Sequence, residues 1–341
     1  MCKRILVSQT NTEDGVPFYK IGTIGSTPDA YISKELFDDY KVKYNYPRKG
    51  EVMITCAGTA TKCVVYDGED AYFQDSNIVW IDNPTQYISN GFLFHLLSKV
   101  DWRKLNSTTI IRIYNDDLRN LKMSYPRKEE QQKISHLLSL LDERIATQNK
   151  IIEDLKKLKS AISERLFNAI KGDVVVLEDI GDVVKGKQIN GEFLSESGKY
   201  YVMNGGIEPS GFYNDYNVEA NTISISEGGN SCGYVQFNAC PFWSGGHCYT
   251  IQNTTDNVKT EYLYQFLKSK ESEIMKLRIG SGLPNIQKKD LAKFKITIPN
   301  ISEQKVISAF LSSFERKADV EMNFVNLLLE EKQYLLRQMF I

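Results

Sequence analysis

The residues with the most reactive side chains do not have the spacing of a metal or catalytic site. Cys232, Cys240, His247 and Cys248 carry atoms that could ligate a metal ion. Their spacing matches no common zinc pattern, and adjacent His and Cys ligands fit poorly on one tetrahedral ion. The chain has six cysteines and no Cys-x-x-Cys pair, which favours reduced, buried thiols. We therefore expect no metal site.

Catalytic motifs are also missing from the sequence. It contains no G-x-x-x-x-G-K-[ST] phosphate-binding loop and no Asn/Asp-Pro-Pro-aromatic tetrapeptide of the kind that amino-methyltransferases use. The three histidines, His95, His136 and His247, are too scattered for a catalytic triad. His95 follows the apolar run GFLF, which indicates a packed side chain. The sequence thus predicts a protein without catalytic residues of its own.

The clearest feature of the sequence is an internal repeat. Residues 117–167 align without a gap on residues 290–340, with a shift of 173 and 13 of 51 pairs identical. Both copies read Pro, polar residues, Glu-Gln and then apolar residues at steps of three and four. This mean spacing near 3.5 residues is a heptad pattern, typical of a coiled coil. The stripe includes Leu141, Ile145, Ile152, Leu155 and Ile162 in the first copy and Phe314, Val325, Leu328, Leu335 and Met339 in the second.

The segments that precede the two helices also resemble each other. GEVMITCAGT at 50–59 corresponds to ANTISISEGG at 220–229, and FLFHLLSK at 92–99 to YLYQFLKS at 262–269. Each copy predicts short strands, a helix of about ten residues and a last strand that ends before Pro126 or Pro299. Asp67-Gly68 is typical of a β-hairpin turn.

We therefore predict an α+β fold with an internal duplication and pseudo-two-fold symmetry. Two β-rich domains are separated by two long helices that form an antiparallel coiled coil. The predicted segments are a first domain (1–125), a helix (126–172), a second domain (173–298) and a second helix (299–341). Asp173–Lys185 has no equivalent in the first copy. Either the chain is shortened there and the first domain lacks its N-terminal strand, or another element supplies that strand, so we expect the first domain to be less complete than the second.

Composition and charge set limits on location and partners. No run approaches 18 apolar residues and the N-terminus has no apolar signal core, so we expect a cytoplasmic protein and no membrane contact. The formal net charge is −1, and residues 173–286 alone carry −6. This weakens a simple electrostatic case for nucleic-acid binding. Two arrangements would reconcile nucleic-acid binding with this charge. The basic groups could cluster on one face, or partner proteins could make the phosphate contacts.

Several motifs resemble those of a known family. GVPFYKIGTIG (15–25), AYFQDSNIVWI (71–81), SEGGNSCGYV (226–235) and PFWSGGHCYTI (241–251) are similar to target-recognition domains of specificity subunits of type I restriction–modification enzymes. YPRKEEQQKISHLLSLLDERI and IPNISEQKVISAFLSSFERKAD resemble the central and distal repeated regions of that family. The resemblance covers nearly the whole chain.

The resemblance implies a division of labour between subunits. Each target-recognition domain would read one half of a split sequence in double-stranded DNA, and the coiled coil would set the spacing. Methyltransferase (modification) subunits would dock on this chain, and restriction/translocase subunits would join them. Catalysis, and with it S-adenosylmethionine, ATP and magnesium, would belong to the partners, so we expect no cofactor in this chain. The alternative is a coiled-coil scaffold without DNA sequence preference.

Candidate DNA contacts are polar loop residues of the types that read base edges. For each one, an ordinary solvated loop residue is the competing interpretation. The candidates are Lys3, Arg4, Lys20, Thr59, Thr61 and Lys62 in the first half, and Lys185, Lys187, Gln188, Asn204, Asn230, Ser231, His247, Arg278, Ser281 and Asn285 in the second.

Overall fold

The chain folds into two compact units, each of which contains part of both long helices. The computed structural model describes residues 1–58, 61–105, 111–280, 282 and 284–340. Unit 1 comprises Met1–Thr147 with Phe324–Ile341, and unit 2 comprises Gln148–Asn323.

Unit 1 is built on two small sheets and a two-stranded ribbon. Its elements are β1 (Val16–Tyr19), β2 (Tyr31–Ile32), α1 (Lys34–Lys43), β3 (Val52–Thr55), β4 (Ala57–Gly58), β5 (Cys63–Val65), β6 (Tyr72–Phe73), β7 (Ile78–Trp80), α2 (Asn90–Lys99), β8 (Ile111–Arg112), α3 (Asn115–Arg119) and the start of α4 (Lys128–Ala169). The sheets run β2–β1–β6 and β5–β3–β7, and β4 pairs with β8. Only β1 and β6 pair in parallel within these described strands.

Unit 2 repeats this plan with additional strands. After α4 come β9 (Asp173–Val176), α5 (Leu177–Ile180), β10 (Asp182–Lys185), β11 (Tyr200–Met203), β12 (Phe212–Tyr213), β13 (Thr222–Ser226), β14 (Val235–Asn238), β15 (Trp243–Ser244), β16 (Cys248–Gln252), α6 (Thr260–Ser269), α7 (Glu271–Met275), α8 (Lys288–Ala292), β17 (Lys295–Ile298) and α9 (Ile301–Met339). The sheets run β12–β11–β15, with β11 and β15 parallel, and β10–β16–β13–β14, while β17 pairs with β9.

The fold class is therefore the duplicated α+β arrangement that the repeat predicts. β1, β2, β6, β3, β5 and β7 have counterparts in β11, β12, β15, β13, β14 and β16, with the same pairing and direction. β9, α5 and β10 have no counterpart in the described part of unit 1, where the sheet at β7 has three strands rather than four.

Two local expectations are wrong because strand formation depends on a pairing partner that is distant in sequence. Asp67-Gly68 does not close a hairpin, because β5 pairs with β3 and the following β6 pairs with β1. Pro299 does follow a strand, but residues 120–127 before α4 are irregular. The counterpart strand β17 is held by β9, for which unit 1 shows no equivalent in its described residues.

Segments of α4 and α9 run antiparallel in each unit. In unit 2, Gln148 donates a hydrogen bond to Glu321 (2.7 Å) and Lys159 forms an ion pair with Glu315 (2.7 Å). In unit 1, Lys332 on α9 contacts Asp142 on α4. Shifting Asp142 and Lys159 by 173 residues gives Glu315 and Lys332, so the two ion pairs are one contact with the helices exchanged.

The predicted stripe is the covered side of both helices. Ile152, Val325 and Leu328 are buried, and the other predicted seam residues, Leu141, Ile145, Leu155, Ile162, Phe314, Leu335 and Met339, are half-buried. Apolar residues outside the stripe are exposed, for example Leu158 (50%) and Leu327 (62%). The burial therefore follows the heptad phase rather than hydrophobicity alone.

A buried glutamine attaches each long helix to its own unit. The Gln131 side chain donates to the carbonyls of Tyr87 and Pro126 (both 2.9 Å) and accepts from the N–H of Ser89 (2.7 Å). Gln304 makes the same three bonds, to Asn257, Pro299 and Lys259. This explains why the Pro and Glu-Gln motif occurs twice. Each glutamine forms hydrogen bonds with backbone groups of the loop before α2 or α6 and with the carbonyl of the proline just before its long helix.

We expect Gln131→Leu and Gln304→Leu to destabilise their units. Each substitution leaves buried backbone groups without partners, at a cost of about 1–3 kcal/mol per group. Thermal and urea unfolding followed by circular dichroism measures the loss. The exposed neighbours Gln132→Leu and Lys305→Leu are matched controls. Equal stability of a glutamine variant and its control would show that the hydrogen bonds of the buried glutamine do not stabilise its unit.

None of the helices in the described residues is both long enough and apolar enough to cross a membrane.

Candidate nucleic-acid interface

A buried carboxylate organises the polar loops of unit 2. Glu227 follows β13 and is 8% exposed. Its Oε1 forms an ion pair with Lys185 Nζ (2.6 Å) and accepts a hydrogen bond from the Tyr249 hydroxyl (3.1 Å). Burial and the adjacent carboxylate raise the pKa of Tyr249, so the phenol remains a donor. Glu227 Oε2 has no hydrogen-bond partner and lies 3.7 Å from Nδ1 of the exposed His247.

Three loops, which contain Gln188, Asn204 and His247, pack closely beside this carboxylate. Asn204 Oδ1 accepts a hydrogen bond from the His247 N–H (3.1 Å). A Cβ on Gly245 would lie 2.5 Å from Asn204 Oδ1, and one on Gly246 would lie 2.5 Å from Gln188 Oε1. A larger residue at Gly245 would also lie 2.9 Å from Asn204 Cβ, so Asn204 would have to shift, whereas at Gly246 the end of the Gln188 side chain can move aside. Gln188, Asn204 and His247 thus form one polar surface.

A second loop pair extends this surface. Gly229 N–H donates to the Pro284 carbonyl (3.0 Å), and Ile286 N–H donates to the Glu227 carbonyl (2.8 Å). These bonds hold the exposed Asn230 and the half-buried Ser231 near the exposed Asn285. Arg278 and Lys187 are also exposed, while Ser281 lies outside the described residues.

In unit 1 the candidates are less concentrated. Lys62 Nζ donates to the Gly22 carbonyl (3.2 Å), close in sequence to Lys20, which pairs with Asp29 (3.0 Å). Lys3 Nζ lies 5.4 Å from the centroid of the Tyr44 ring, and Arg4 is exposed. The Thr61 hydroxyl is buried without a hydrogen-bond partner. Thr59 lies outside the described residues.

Some candidates occupy equivalent positions in the two units. Lys20 immediately follows β1 and Asn204 immediately follows β11, the strands that pair in parallel with β6 and β15. The same shift of 184 residues relates Lys3 to Lys187 and Arg4 to Gln188. All of these residues are predicted DNA contacts, and Lys20 and Asn204 also share an equivalent place in the fold, directly after β1 and β11.

The organising residues Glu227 and Tyr249 were missed. A signal existed, since Glu227 directly follows the alternating run TISIS, where a charge is unexpected at the end of a buried strand. No group of three or more His, Cys, Asp or Glu side chains that could hold a metal ion occurs in residues 1–58, 61–105, 111–280, 282 and 284–340. His95 is 1% exposed, and burial lowers its pKa, as expected of a packed neutral imidazole.

Duplicated units of this kind, each with small sheets, polar loops and parts of two long helices, define a class of α+β proteins with an internal duplication. Residues 1–157 and 171–328 both match the type I restriction modification DNA specificity domain. The chain belongs to this family of specificity subunits.

Individual relatives agree with this assignment. A putative type I restriction enzyme specificity subunit of Haemophilus influenzae is 49% identical over 155 residues, which is 46% of this chain. The match spans 40% of that relative's length. The crystal structure of a type I system S subunit from M. genitalium superposes with a TM-score of 0.66 at 20% identity, covering 100% of this chain and 92% of the other. A chain from a structural study of type I system assembly and conformational transition gives 0.56 at 17% identity, with 96% and 92% covered.

The Lys185–Glu227 pair should show an asymmetric response to substitution. Lys185→Met leaves a buried carboxylate without its cation, whereas Glu227→Gln leaves a half-exposed lysine that water can solvate. We expect Lys185→Met to cost about 1–3 kcal/mol more, and the double variant to recover part of that loss. Thermal unfolding of the four proteins forms the cycle, with Lys187→Met as the exposed control. Additive single effects would show that the two groups do not interact.

Proposed function

We propose that this chain is the DNA sequence-recognition subunit of a type I restriction–modification complex, and that each unit reads one half of a split target. The observation that carries the proposal is the double match to the DNA specificity domain, together with polar loops at equivalent positions in both units. Amide, hydroxyl and cationic side chains on loops are the groups that discriminate base edges.

The two long helices are proposed to fix the distance between the half-sites and to bind methyltransferase subunits. α4 has 42 residues and α9 has 39, so each extends about 60 Å at 1.5 Å per residue. A stiff element of this length suits a spacer. The net charge of −1 argues that partner subunits make many of the phosphate contacts. Methyl transfer and DNA cleavage, with S-adenosylmethionine, ATP and magnesium, would reside in methyltransferase and restriction subunits.

Substitutions in one unit should change recognition of one half-site only. We expect Lys187→Ala with Gln188→Ala to relax the bases read by unit 2, and Lys3→Ala with Arg4→Ala to relax those read by unit 1. Each lost base contact costs about 1–3 kcal/mol of discrimination. Methylome sequencing of cells that express each variant with its partner subunits measures both halves at once.

The exposed Lys305→Ala on α9 is the matched control and should leave the methylated motif unchanged. Loss of preference in both halves by either double variant would contradict independent reading. Methylation without any sequence preference by the unaltered complex would support the scaffold alternative instead.

Lengthening both helices should lengthen the spacer without changing the half-sites. Seven residues inserted after Gln148 and seven after Glu321, which face each other, preserve the heptad phase and add about 10 Å. At 3.4 Å per base pair, the spacer should grow by about three base pairs. Methylome sequencing reads the new spacer. An unchanged spacer with normal methylation would show that the length of the helices does not set the length of the spacer.

A further inference from the structure

A histidine on the polar surface of unit 2 is fixed to the fold through its backbone and exposes its ring. The His247 N–H donates to Asn204 Oδ1 (3.1 Å), and the His247 carbonyl accepts from the Glu227 N–H (2.9 Å). The His247 side chain itself is 64% exposed. The direction of the ring therefore depends on rotation about its own side-chain bonds and on the groups that face it.

A buried carboxylate oxygen faces one edge of this ring. In the described part of the chain, Glu227 Oε2 is buried without a hydrogen-bond partner, and it lies 3.7 Å from His247 Nδ1. A small side-chain rotation closes this distance to a hydrogen bond, which satisfies an oxygen that is otherwise costly to bury. Because a carboxylate only accepts, Nδ1 must carry the proton. In the neutral ring, Nε2 is then an acceptor on the edge turned away from Glu227.

The other oxygen of Glu227 is held from two neighbouring strands. It pairs with Lys185 on β10 (2.6 Å) and accepts from the Tyr249 hydroxyl on β16 (3.1 Å). Further charged and titratable side chains on the surrounding strands and loops include Lys187, Glu208, Cys232, Cys248 and Arg278. Burial raises the pKa of both thiols and of the Tyr249 phenol, so these groups stay protonated. A change of charge near neutral pH is therefore expected of the histidine.

The same place in unit 1 has the backbone contact without the ionisable pair. The Cys56 N–H donates to the Asn77 carbonyl (2.7 Å), as the Glu227 N–H does to the His247 carbonyl. Cys56 directly follows β3 and Asn77 directly precedes β7, just as Glu227 follows β13 and His247 precedes β16. The fold therefore forms without a carboxylate and an imidazole at this point, which favours a role for the pair that is specific to unit 2.

We propose that Glu227 is a positioning residue for His247, and that His247 Nε2 reads one base in the half-site of unit 2. The neutral ring accepts a hydrogen bond from the amino group of adenine or cytosine in the major groove, whereas the protonated ring donates to guanine N7 or O6. The base preferred at this one position therefore changes with pH, because histidine ordinarily changes charge between about pH 5 and pH 8. This inference rests on the proposed function.

Selection of DNA from a random library at two pH values tests the proposal. The complex of this chain with its methyltransferase subunits is incubated with the library at about pH 8 and at about pH 6, and the bound DNA is sequenced. One position in the half-site of unit 2 should shift from adenine or cytosine towards guanine by about fivefold or more as the pH falls. The half-site of unit 1, where Asn77 takes the place of His247, is the internal control and should not shift.

Glu227→Gln should reverse the preference without a change of pH. The new amide oxygen stays with Lys185 and the Tyr249 hydroxyl, so the amide NH₂ group faces Nδ1 and the neutral ring carries its proton on Nε2. Nε2 then donates, and guanine should already be preferred at about pH 8. The exposed Glu196→Gln in the same unit is the matched control and should leave the preference unchanged.

His247→Asn separates base reading from the contact with Glu227. Asparagine keeps a donor near the position of Nδ1 but has no atom at the position of Nε2, so the preference at this one position should disappear while the rest of both half-sites remains. The half-site of unit 2 is the one that Lys187→Ala with Gln188→Ala relaxes.

Failure of this inference differs from failure of the proposed function. A complex without preference in either half-site would contradict the proposed function itself. Preference in both half-sites that neither pH nor His247→Asn alters would overturn this inference alone, and so would a pH shift of equal size in the two half-sites. If a variant does not fold, as measured by thermal unfolding, the comparison of the unaltered complex at the two pH values still decides.

Discussion

The structure depends on covering one apolar stripe on each of two long helices. A helix of about 40 residues cannot be enclosed by a β-rich unit of ordinary size, so the stripe needs a second helix beside it. In each unit, a segment of α4 meets an antiparallel segment of α9, and the covered positions follow the heptad phase. The flanks can remain exposed, as Leu158 and Leu327 do, because only the stripe requires a partner.

The buried glutamines hold the loops of each unit in a defined position relative to its long helix. Gln131 and Gln304 bond to backbone groups in the loops before α2 and α6, so each short helix has a fixed relation to the start of its long helix. The sheets pack on these short helices, and the polar loops emerge from the strand ends. In both units, a glutamine thus links the long helix to the part of the unit that carries the polar loops.

Repetition and periodicity made the fold class predictable, because both are properties of the sequence alone. The long helices, the short helices α2 and α6 and the covered stripe could all be derived from residue spacing. Strand pairing could not: Asp67-Gly68 has the composition of a hairpin turn, but the parallel pairing of β6 with β1 depends on residues more than fifty positions away. The role of Glu227 was equally hidden, since its partners Lys185 and Tyr249 come from two other strands.

The ion pairs Lys159–Glu315 and Lys332–Asp142 make the contact between the two long helices reciprocal. Each repeat carries both the basic and the acidic partner of the same contact, at corresponding positions. A surface that contains both members of a reciprocal contact is self-complementary, which is the condition for an isologous homodimer. One repeat alone therefore carries both charged sides of this contact, so two identical copies would satisfy it as well as the two repeats of one chain do.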